Sequence, residues 1–545
     1  EEVKKAVHSL KNGKSPGIDE IRAEYLKHSP DIVYEKIAEL LNHIAETGET
    51  PSELKTGLLV PLQKPGKKRG PASNLRPVIL LSILRKIMAV CLIGRIGEKI
   101  DKQIPLSQAA YRSGRGTTEQ VLAMKLMAEK AVTTPGYKCH LMLMDMSKAF
   151  DRVDRYMMME DLKRILEEDE LHLVKILIED VKLTIKINNQ TGRSFTTNIG
   201  TPQGDCLSPI LFTLYLANAM KEYAGDNESA SQYAADETEM RDSKDEFGDR
   251  YVRESEGNER KDKTTDRKKE DNSENRKEEN HKTLPPHLRD HCYSKLQSTG
   301  SLIQMQYADD IGWLGMNCSH RIEQTKKEIP DILSKRNLII NNAKTEEYII
   351  EKGGDQEWSK CKYLGTRLDT KEDITSRKRS ANNAIKSIEH ITKDRRIGVD
   401  LKMRAFNAYV ASIFLYNSET WTISKTTANT IDSFHRRLLR YAVNIRYPAK
   451  ISNEKLYKLT KEKPWSQVIK QRRLRFTGHV LRLPEETPVR QALSEYQRPL
   501  KRPRGAPKFT WQKNIDNDLR SIGMSFDEAR IVSKDRKEWR IRIGR

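Results

Sequence analysis

The sequence predicts an α+β fold in which helices back an antiparallel sheet. A short apolar run, Leu141–Met144, ends at Asp145 and has the pattern of a buried strand. Between Gln304 and Leu314, two short apolar stretches flank Ala308-Asp309-Asp310, as the strands of a hairpin flank a tight turn. Apolar residues recur at helical spacing over residues 1–50 and 375–447.

The other elements follow from local patterns along the chain. Ile37, Leu41 and Ile44 repeat at helical spacing within the first 50 residues. Arg85 and Lys86 split an apolar run over 77–97, so neither half is long enough to cross a bilayer. Residues 171–187 predict a helix and then a strand. The last helical region, 375–447, places four residues on one face: Ala405, Ala408, Tyr409 and Ser412.

Composition bounds the function classes. The 545 residues include 98 Lys+Arg and 77 Asp+Glu, a net charge of +21. Such a charged chain is neither a membrane channel nor a small disulfide scaffold, and its basic excess indicates a polyanionic partner, nucleic acid before an anionic membrane. The six cysteines are scattered, which suits a reducing compartment. The chain begins Glu-Glu with no signal peptide, so we expect a fragment or a processed product.

Two segments stand out by composition. From Gly225 to Thr283 there is no Leu, Ile or Trp, so residues 225–290 are predicted to be a disordered charged insertion. Residues 470–545 carry 20 Lys+Arg against 9 Asp+Glu, a net charge of +11. Their basic clusters, 470–475 and 501–504, alternate with aromatic residues that could stack on unpaired bases: Phe476, Phe509 and Trp511. We therefore expect a nucleic-acid-binding tail, with a solvated basic helical region as the alternative.

The chemistry of the chain is indicated by its aspartates. Asp309 and Asp310 at a hairpin tip repel each other, and Asp145 is expected to end a neighbouring strand. Divalent cations relieve that repulsion, so three converging carboxylates favour two Mg²⁺ ions and nucleotidyl transfer. An isolated Asp-Asp pair is usually only a solvated turn. A similar segment, 233–236, falls within the predicted insertion and has no flanking strands.

Three segments resemble a known family when they are taken in order. Asp145–Asp151, Gly200–Pro209 and Tyr307–Asp310 resemble motifs A, B and C of reverse transcriptases, especially those of non-LTR (LINE-type) retrotransposons. Further blocks resemble an N-terminal extension, two fingers motifs, motif D, the primer-grip turn and the tail of such elements: Asn12–Asp19, Asn74–Ser82, Gln108–Thr117, Leu338–Thr345, Tyr363–Gly365, Gly478–Pro484 and Pro507–Trp511. In the second fingers block, Ala109-Ala110-Tyr111 departs from the usual glycine and aromatic residue.

The resemblance implies a right-hand polymerase with fingers, palm and helical thumb. It implies an RNA-directed DNA polymerase that copies retrotransposon RNA by target-primed reverse transcription, with two Mg²⁺ ions, which Mn²⁺ could replace. The expected partners are template RNA, a DNA primer or target and deoxynucleoside triphosphates, in a ribonucleoprotein of nucleus and cytoplasm. The expected divisions are N-terminal extension and fingers 1–105, fingers and palm 106–224, insertion 225–290, palm 291–370, thumb 371–450 and basic C-terminal region 451–545.

Individual roles are also implied by the matching positions. Asp145, Asp309 and Asp310 correspond to metal ligands, and Lys344 to a lysine that protonates pyrophosphate. Gln203 and Gly204 correspond to a loop against the incoming nucleotide and template base, and Arg76 to an arginine that binds the triphosphate. Phe150 corresponds to a steric gate that excludes the ribose 2′-hydroxyl. The plainer alternatives are that Phe150 only fills the core and that Lys344 is only a solvated lysine.

Two other functions remain open from the sequence. An RNA-directed RNA polymerase also uses paired aspartates, although an aromatic gate at Phe150 argues against it. A catalytically inactive RNA-binding remnant of a decayed element is the second alternative, and the intact carboxylates argue against that. The sequence shows no endonuclease domain. His435 and His479 have no cysteine at ligand spacing, so we expect them to be structural or to face RNA.

Overall fold

The computed structural model describes residues 1–64, 66–188, 190–221, 223, 301–446, 448–498 and 509–544. The chain divides into two compact units, Glu1–Asn218 with Ser301–Arg545, and Ala219–Gly300. The predicted insertion at 225–290 and the basic cluster at 501–504 lie outside the described residues. The site and the cores described below lie in the first unit.

The helices of the described residues are numbered α1 to α21. They are α1 Glu2–Ser9, α2 Ala23–Lys27, α3 Asp31–Thr47, α4 Ser52–Lys55, α5 Ile83–Asp101, α6 Thr117–Thr133, α7 Arg155–Lys163, α8 Glu168–Ile178, α9 208–221, α10 Ser319–Ser334, α11 Thr370–Ser387, α12 Glu389–Lys393, α13 Val399–Phe406, α14 Ser412–Phe414, α15 Lys425–Ala442, α16 Asn453–Thr460, α17 Trp465–Arg482, α18 Pro488–Gln497, α19 Trp511–Arg520, α20 Phe526–Val532 and α21 Arg536–Arg542. A π-helical turn, Asn407–Ala411, joins α13 to α14.

The strands are numbered in the same way. They are β1 Thr56–Gln63, β2 Leu75–Leu81, β3 Cys139–Met144, β4 Lys182–Ile187, β5 Gln190–Thr196, β6 Ser301–Tyr307, β7 Asp310–Met316, β8 Glu346–Ile350, β9 Lys362–Tyr363 and β10 Thr366–Arg367. Short 3₁₀ turns occur at Ala72–Asn74, Ala149–Arg152, Asn342–Lys344, Glu357–Lys360 and Ser418–Thr420. This mixture of helices with mainly antiparallel strands confirms the predicted α+β class.

The central sheet has the order β6-β7-β3-β8, and every pairing in it is antiparallel. All six residues of β3 are buried, as expected of a strand between two neighbours with both faces covered. Helix α6 lies against this sheet with twelve of its side chains buried. The predicted strand before Asp145 and the predicted hairpin are therefore both present, and they lie side by side.

A second sheet has the order β2-β1-β4-β5 and contains one parallel pairing, between β1 and β4. The strand predicted within 171–187 is present as β4. Of its alternating apolar residues Leu183, Ile185 and Ile187, Leu183 is buried and the other two are exposed. Asp19 joins the N-terminal segment to the following helix α5, since its Oδ2 accepts from the backbone N–H of Ile83 at 3.0 Å.

The helical region from α11 to α16 forms its own core, which continues into the start of α17. Phe414 and Trp465 stack with ring centroids 4.3 Å apart, and His435 stacks on the other side at 4.2 Å from Trp465. The face predicted from Ala408, Tyr409 and Ser412 is present, and it is exposed, whereas Phe406 and Val410 supply the buried face.

The C-terminal region packs on the central sheet. One hydrophobic cluster contains side chains of α6, β3, β6 and β7 together with those of α17 to α21. Helix α18 runs along α6, where Lys130 and Tyr137 both contact the Glu495 carboxylate. These helices therefore share a core with the sheet.

Candidate active site

The centre of the candidate site is the turn between β6 and β7. Tyr307 pairs with Asp310, so Ala308 and Asp309 alone form the turn and Asp310 is the first residue of β7. Ala308 has a positive φ of 55°, the left-handed region that a two-residue hairpin of this kind requires of its first turn residue. Asp309 and Asp310 are thus placed at the end of the sheet by a short, tightly defined connection.

Asp145 reaches the same end of the sheet from β3. Met144 pairs with Ile311, so one residue further along the two strands Asp145 lies across from Asp310. Residues opposite one another on antiparallel strands have Cβ atoms about 5 Å apart. The structure therefore brings the three predicted aspartates together, although Asp145 precedes the other two by more than 160 residues.

Burial and mutual repulsion alter the acidity of this group. Burial raises the pKa of Asp309, and the charge of Asp145 adds to the effect. Burial, together with the charges of Asp309 and Asp145, raises the pKa of Asp310 to about 6. Both shifts arise because burial and like charges disfavour the ionised carboxylates. A cation among these groups would offset that repulsion and favour their ionised form.

A lysine supplies part of that positive charge. Lys344 lies in a 3₁₀ turn just before β8, and its Nζ donates to Asp145 Oδ2 at 2.6 Å. The turn is held in place because the Asn341 N–H donates to the backbone carbonyl of Asp145 at 2.8 Å. The predicted site lysine therefore contacts the predicted site aspartate, although its side chain is 64% exposed.

The donor set suits a hard divalent cation, since three carboxylates offer only oxygen ligands, the kind preferred by Mg²⁺. A tighter group of potential ligands occurs elsewhere among the described residues. The donor atoms of His140, Glu323 and Glu347 all lie within 4.8 Å of one another. Glu347 in that group is already occupied, because it accepts from His140 at 2.6 Å and from Lys326 at 2.5 Å. The three aspartates are spread more widely than this, with Lys344 bonded to one of them.

The segment predicted to face the nucleotide is bonded to β2. The Gln203 carbonyl accepts from the Ile79 N–H at 2.8 Å, and Gln203 Nε2 donates to Asp151 Oδ1 at 2.9 Å. Gly204 has a φ of 125°, and a Cβ on it would lie 2.4 Å from the Ile79 carbonyl oxygen. Glycine is therefore required here for the loop to approach the strand.

Phe150 and Arg76 are two further residues with predicted roles at the site. The Phe150 ring stacks on Phe212 with centroids 4.4 Å apart, and it remains partly exposed. The ring therefore makes core contacts and also has an exposed part, so its packing is compatible with a steric gate as well as with core filling alone. Arg76 is exposed on β2, and its charge opposes the upward shift in the pKa of Asp309, which places it within electrostatic reach of the site.

Sequence reasoning missed a buried ion pair below the site. The Arg85 guanidinium donates to Asp205 Oδ2 from Nε at 3.0 Å and from Nη2 at 2.9 Å. Both side chains are almost fully buried, and Arg85 also donates to the carbonyls of Leu54 and Leu177. In the sequence, Arg85 interrupts an apolar run, and a charged residue inside such a run is itself the signal that a buried partner exists.

The predicted primer-grip turn lies beside the carboxylates. Leu364 and Gly365 both have positive φ values, 45° and 76°, as a tight hairpin between β9 and β10 requires. Tyr416 donates from its hydroxyl to the Leu364 carbonyl at 3.2 Å. A cavity of about 330 Å³ is lined by Asp145, Asp310, Lys344, Tyr363 and Leu364.

Some residues predicted to meet nucleic acid are buried. Trp511 is 2% exposed within the shared core, and Arg473 is paired with Asp518 at 2.7 Å. Neither is free to contact RNA, whereas Phe509 is 37% exposed. His479 contacts Glu119 of α6 at 2.8 Å. This contact supports the structural role expected for His479 over the RNA-facing one.

Comparison with known proteins places this geometry in context. Residues 62–254 match the sequence model of the family described as reverse transcriptase (RNA-dependent DNA polymerase). A probable RNA-directed DNA polymerase from transposon BS of Drosophila melanogaster is 28% identical over 220 residues, which are 40% of this chain and 24% of that protein. The RNA-directed DNA polymerase from mobile element jockey of Drosophila funebris is 28% identical over 226 residues, 41% of this chain and 25% of that protein.

The chain spans about a quarter of the length of these curated relatives. Among solved structures, apo telomerase from Candida tropicalis is similar with a TM-score of 0.40 and 13% identity, over 85% of this chain and 68% of that one. None of the helices in the described ranges combines the length and the apolar character needed to span a bilayer. The predicted resemblance to reverse transcriptases of non-LTR retrotransposons is confirmed, because residues 62–254 match the reverse transcriptase family and the similar proteins include RNA-directed DNA polymerases of mobile elements.

Proposed function

We propose that this chain is an RNA-directed DNA polymerase that extends a DNA primer on retrotransposon RNA by target-primed reverse transcription. The observation that carries the proposal is the meeting of Asp145, Asp309 and Asp310 at one end of the central sheet, next to an open cavity. Nucleotidyl transfer needs such a cluster, because negative charge develops on both the attacking and the leaving oxygen.

We assign roles to the residues around this cluster. The three aspartates would hold two Mg²⁺ ions, or Mn²⁺ in their place, and the ions would supply Lewis-acid activation of the primer hydroxyl and charge neutralisation. Lys344, whose Nζ donates to Asp145, would give a proton to the leaving pyrophosphate. Arg76 would bind the triphosphate, for which a guanidinium fork is suited.

The surrounding elements have corresponding parts in the proposal. We assign α1 to α5 with the second sheet to the N-terminal extension and fingers, the central sheet to the palm, and α11 to α15 to the thumb. Gln203, whose carbonyl accepts from the Ile79 N–H, and Gly204, which lies close to the Ile79 carbonyl, would form the loop against the incoming nucleotide and template base. The exposed part of the Phe150 ring would exclude a ribose 2′-hydroxyl. The expected partners are template RNA, a DNA primer and deoxynucleoside triphosphates.

The test is primer extension by the purified chain on an RNA template with Mg²⁺ and deoxynucleotides. Asp309→Asn should reduce extension by at least about 1,000-fold, because it removes a charged ligand where charge develops. RNA binding should stay within about twofold. Asp331→Asn is the matched control, since this aspartate is exposed on α10 and has no proposed role in the reaction; it should behave like the unmodified chain.

Three outcomes would contradict the proposal. Comparable extension by the Asp309→Asn variant would remove Asp309 from the site. Tight RNA binding without extension, in a folded protein with Mg²⁺ or Mn²⁺, would favour a catalytically inactive RNA-binding remnant. Equal incorporation of ribonucleotides would favour an RNA-directed RNA polymerase.

A further inference from the structure

The turn that carries Asp309 has an unfavourable residue at its first position. Ala308 has a φ of 55° and is buried, with 6% of its surface exposed. Two-residue hairpin turns with a positive φ at this position usually contain glycine, because a Cβ makes that conformation costly. A side chain that bonds both backbone polar groups of Ala308 would hold the turn in this shape.

Gln108 makes those bonds. Its Oε1 accepts from the Ala308 N–H at 3.0 Å, and its Nε2 donates to the Ala308 carbonyl at 3.4 Å. The same Oε1 accepts from the Ala110 N–H at 3.0 Å, which fixes the orientation of the amide. Gln108 is 0% exposed, so water cannot replace these bonds when they are lost.

The backbone around Gln108 is itself fixed to β6. The Gln306 N–H donates to the Ser107 carbonyl at 2.9 Å, and the Ala109 N–H donates to the Gln306 carbonyl at 3.0 Å. Gln120, on α6, donates to the same Ser107 carbonyl at 3.0 Å. The segment Ser107–Ala109 therefore pairs with the free edge of β6, and the Gln108 side chain extends this pairing by two residues into the turn.

We propose that Gln108 is a positioning residue that holds the Ala308-Asp309 turn, and through it the two adjacent carboxylates, in the geometry needed to bind divalent metal. This inference rests on the proposed polymerase function. Gln108 acts through the backbone of Ala308. Its loss therefore affects the requirement for metal and the turnover number, and leaves binding of RNA and nucleotide largely unchanged.

The first test replaces Gln108 with methionine, which has a similar volume but offers only a weak thioether acceptor and no donor to Ala308. Gln108→Met should lower kcat by about 10- to 100-fold and raise the Mg²⁺ concentration for half-maximal extension, as loss of groups supporting metal ligands does. The KM for deoxynucleotide should change by less than about threefold. Adding Ala308→Gly should restore most of kcat, because glycine adopts a positive φ without support.

Gln304→Met is the matched control. Gln304 lies on β6, the strand that leads into the turn, and its amide nitrogen has no hydrogen-bond partner. This variant should keep the kcat and Mg²⁺ requirement of the unmodified chain. Equal losses in Gln108→Met and Gln304→Met, unchanged kinetics in Gln108→Met, or failure of Ala308→Gly to restore kcat would each overturn the proposal.

Amide hydrogen exchange over residues 305–312 provides a measurement that does not depend on activity. Gln108→Met should accelerate exchange at the turn by at least about tenfold, and Gln304→Met should leave it unchanged. If the unmodified chain does not extend primers, the polymerase proposal fails, and the exchange result still decides the contact. Faster exchange in Gln108→Met supports a role of Gln108 in holding the turn, and unchanged exchange overturns it.

Discussion

At the residue scale, the candidate site depends on close approaches that few side chains permit. Gly204 shows this most clearly, because its backbone lies against Ile79 of β2 and its φ is 125°. The neighbouring Gln203 is bonded to the same strand through its carbonyl and to Asp151 through its side chain. The loop that is proposed to support the base pair is thus fixed to both the second sheet and the segment after β3.

Gly204→Ala should therefore impair the site. The new Cβ would lie 2.4 Å from the Ile79 carbonyl oxygen, so the loop must move away from the strand. A displacement of about 1 Å in a positioning segment costs on the order of 100-fold in rate. Primer extension per folded molecule measures the effect.

Gly94→Ala is the control for that substitution. Gly94 is exposed on α5 with open space around it, and alanine in a helix is about 1 kcal/mol more favourable than glycine. This variant should keep full activity and melt at a slightly higher temperature. Full activity in Gly204→Ala would show that the loop does not support the reaction.

At the element scale, the helical region from α11 to α16 is organised around a buried histidine whose environment favours the neutral imidazole. His435 is fully buried, stacks on Trp465, and has no hydrogen-bond partner at either ring nitrogen. Burial, with a smaller contribution from Arg436, lowers the pKa of His435 to about 3. The sequence predicted a structural or RNA-facing residue, and the packing makes it structural.

Acid should destabilise this region through His435. The unfolded chain binds the proton with a pKa of about 6.5. The folded chain does not bind it until about pH 3, so stability is present above pH 6.5 and falls as the pH is lowered. The loss is about 1.4 kcal/mol for each pH unit in that window. Melting temperatures between pH 7 and pH 4.5 measure it.

His435→Phe should remove part of that dependence, since phenylalanine keeps the aromatic stacking and does not titrate. The variant should lose less melting temperature than the unmodified chain between pH 6.5 and pH 4.5. Identical pH profiles would mean that His435 is protonated in the folded protein, against the burial described above.

The elements near the site were predictable where the signal is local. The strand before Asp145 and the hairpin around Asp309 follow from apolar runs of strand length and a turn. The contacts between Gln108 and Ala308, or between Arg85 and Asp205, join residues 200 and 120 positions apart, and no periodicity encodes them. They depend on which elements become neighbours only after the sheets have formed.

At the scale of the whole molecule, the C-terminal region is a structural part of the central sheet's core. Leu474, Val480, Trp511 and Trp539 belong to the same buried cluster as Leu141 and Met305. The sequence predicted a nucleic-acid-binding tail because an aromatic residue in a basic segment has the same local pattern whether it stacks on bases or fills a core. The spacing of Trp511, Ile515 and Leu519 is the helical signal that identifies the core.

Removing residues 470–545 should therefore prevent folding. A basic tail that only binds nucleic acid would be dispensable for short-primer extension, whereas the shared core leads to the opposite expectation. The truncated chain would expose apolar surface of α6 and β6, so we expect insoluble protein. Soluble, active protein with cooperative melting would show that the sheet folds without the C-terminal helices.

A pair of substitutions in α21 tests the same packing without removing any of the chain. Trp539 is 2% exposed, and a Cβ added at Gly478 of α17 would meet its indole nitrogen at 2.2 Å. Trp539→Ala should therefore cost about 3–5 kcal/mol in the free energy of unfolding.

Ile541, two residues away, is 72% exposed, and Ile541→Ala should change that free energy by less than about 0.5 kcal/mol. Denaturant unfolding of both variants measures the difference. Equal stabilities would mean that α21 does not pack against α17, and the basic charge of this region would then be free to serve nucleic acid alone.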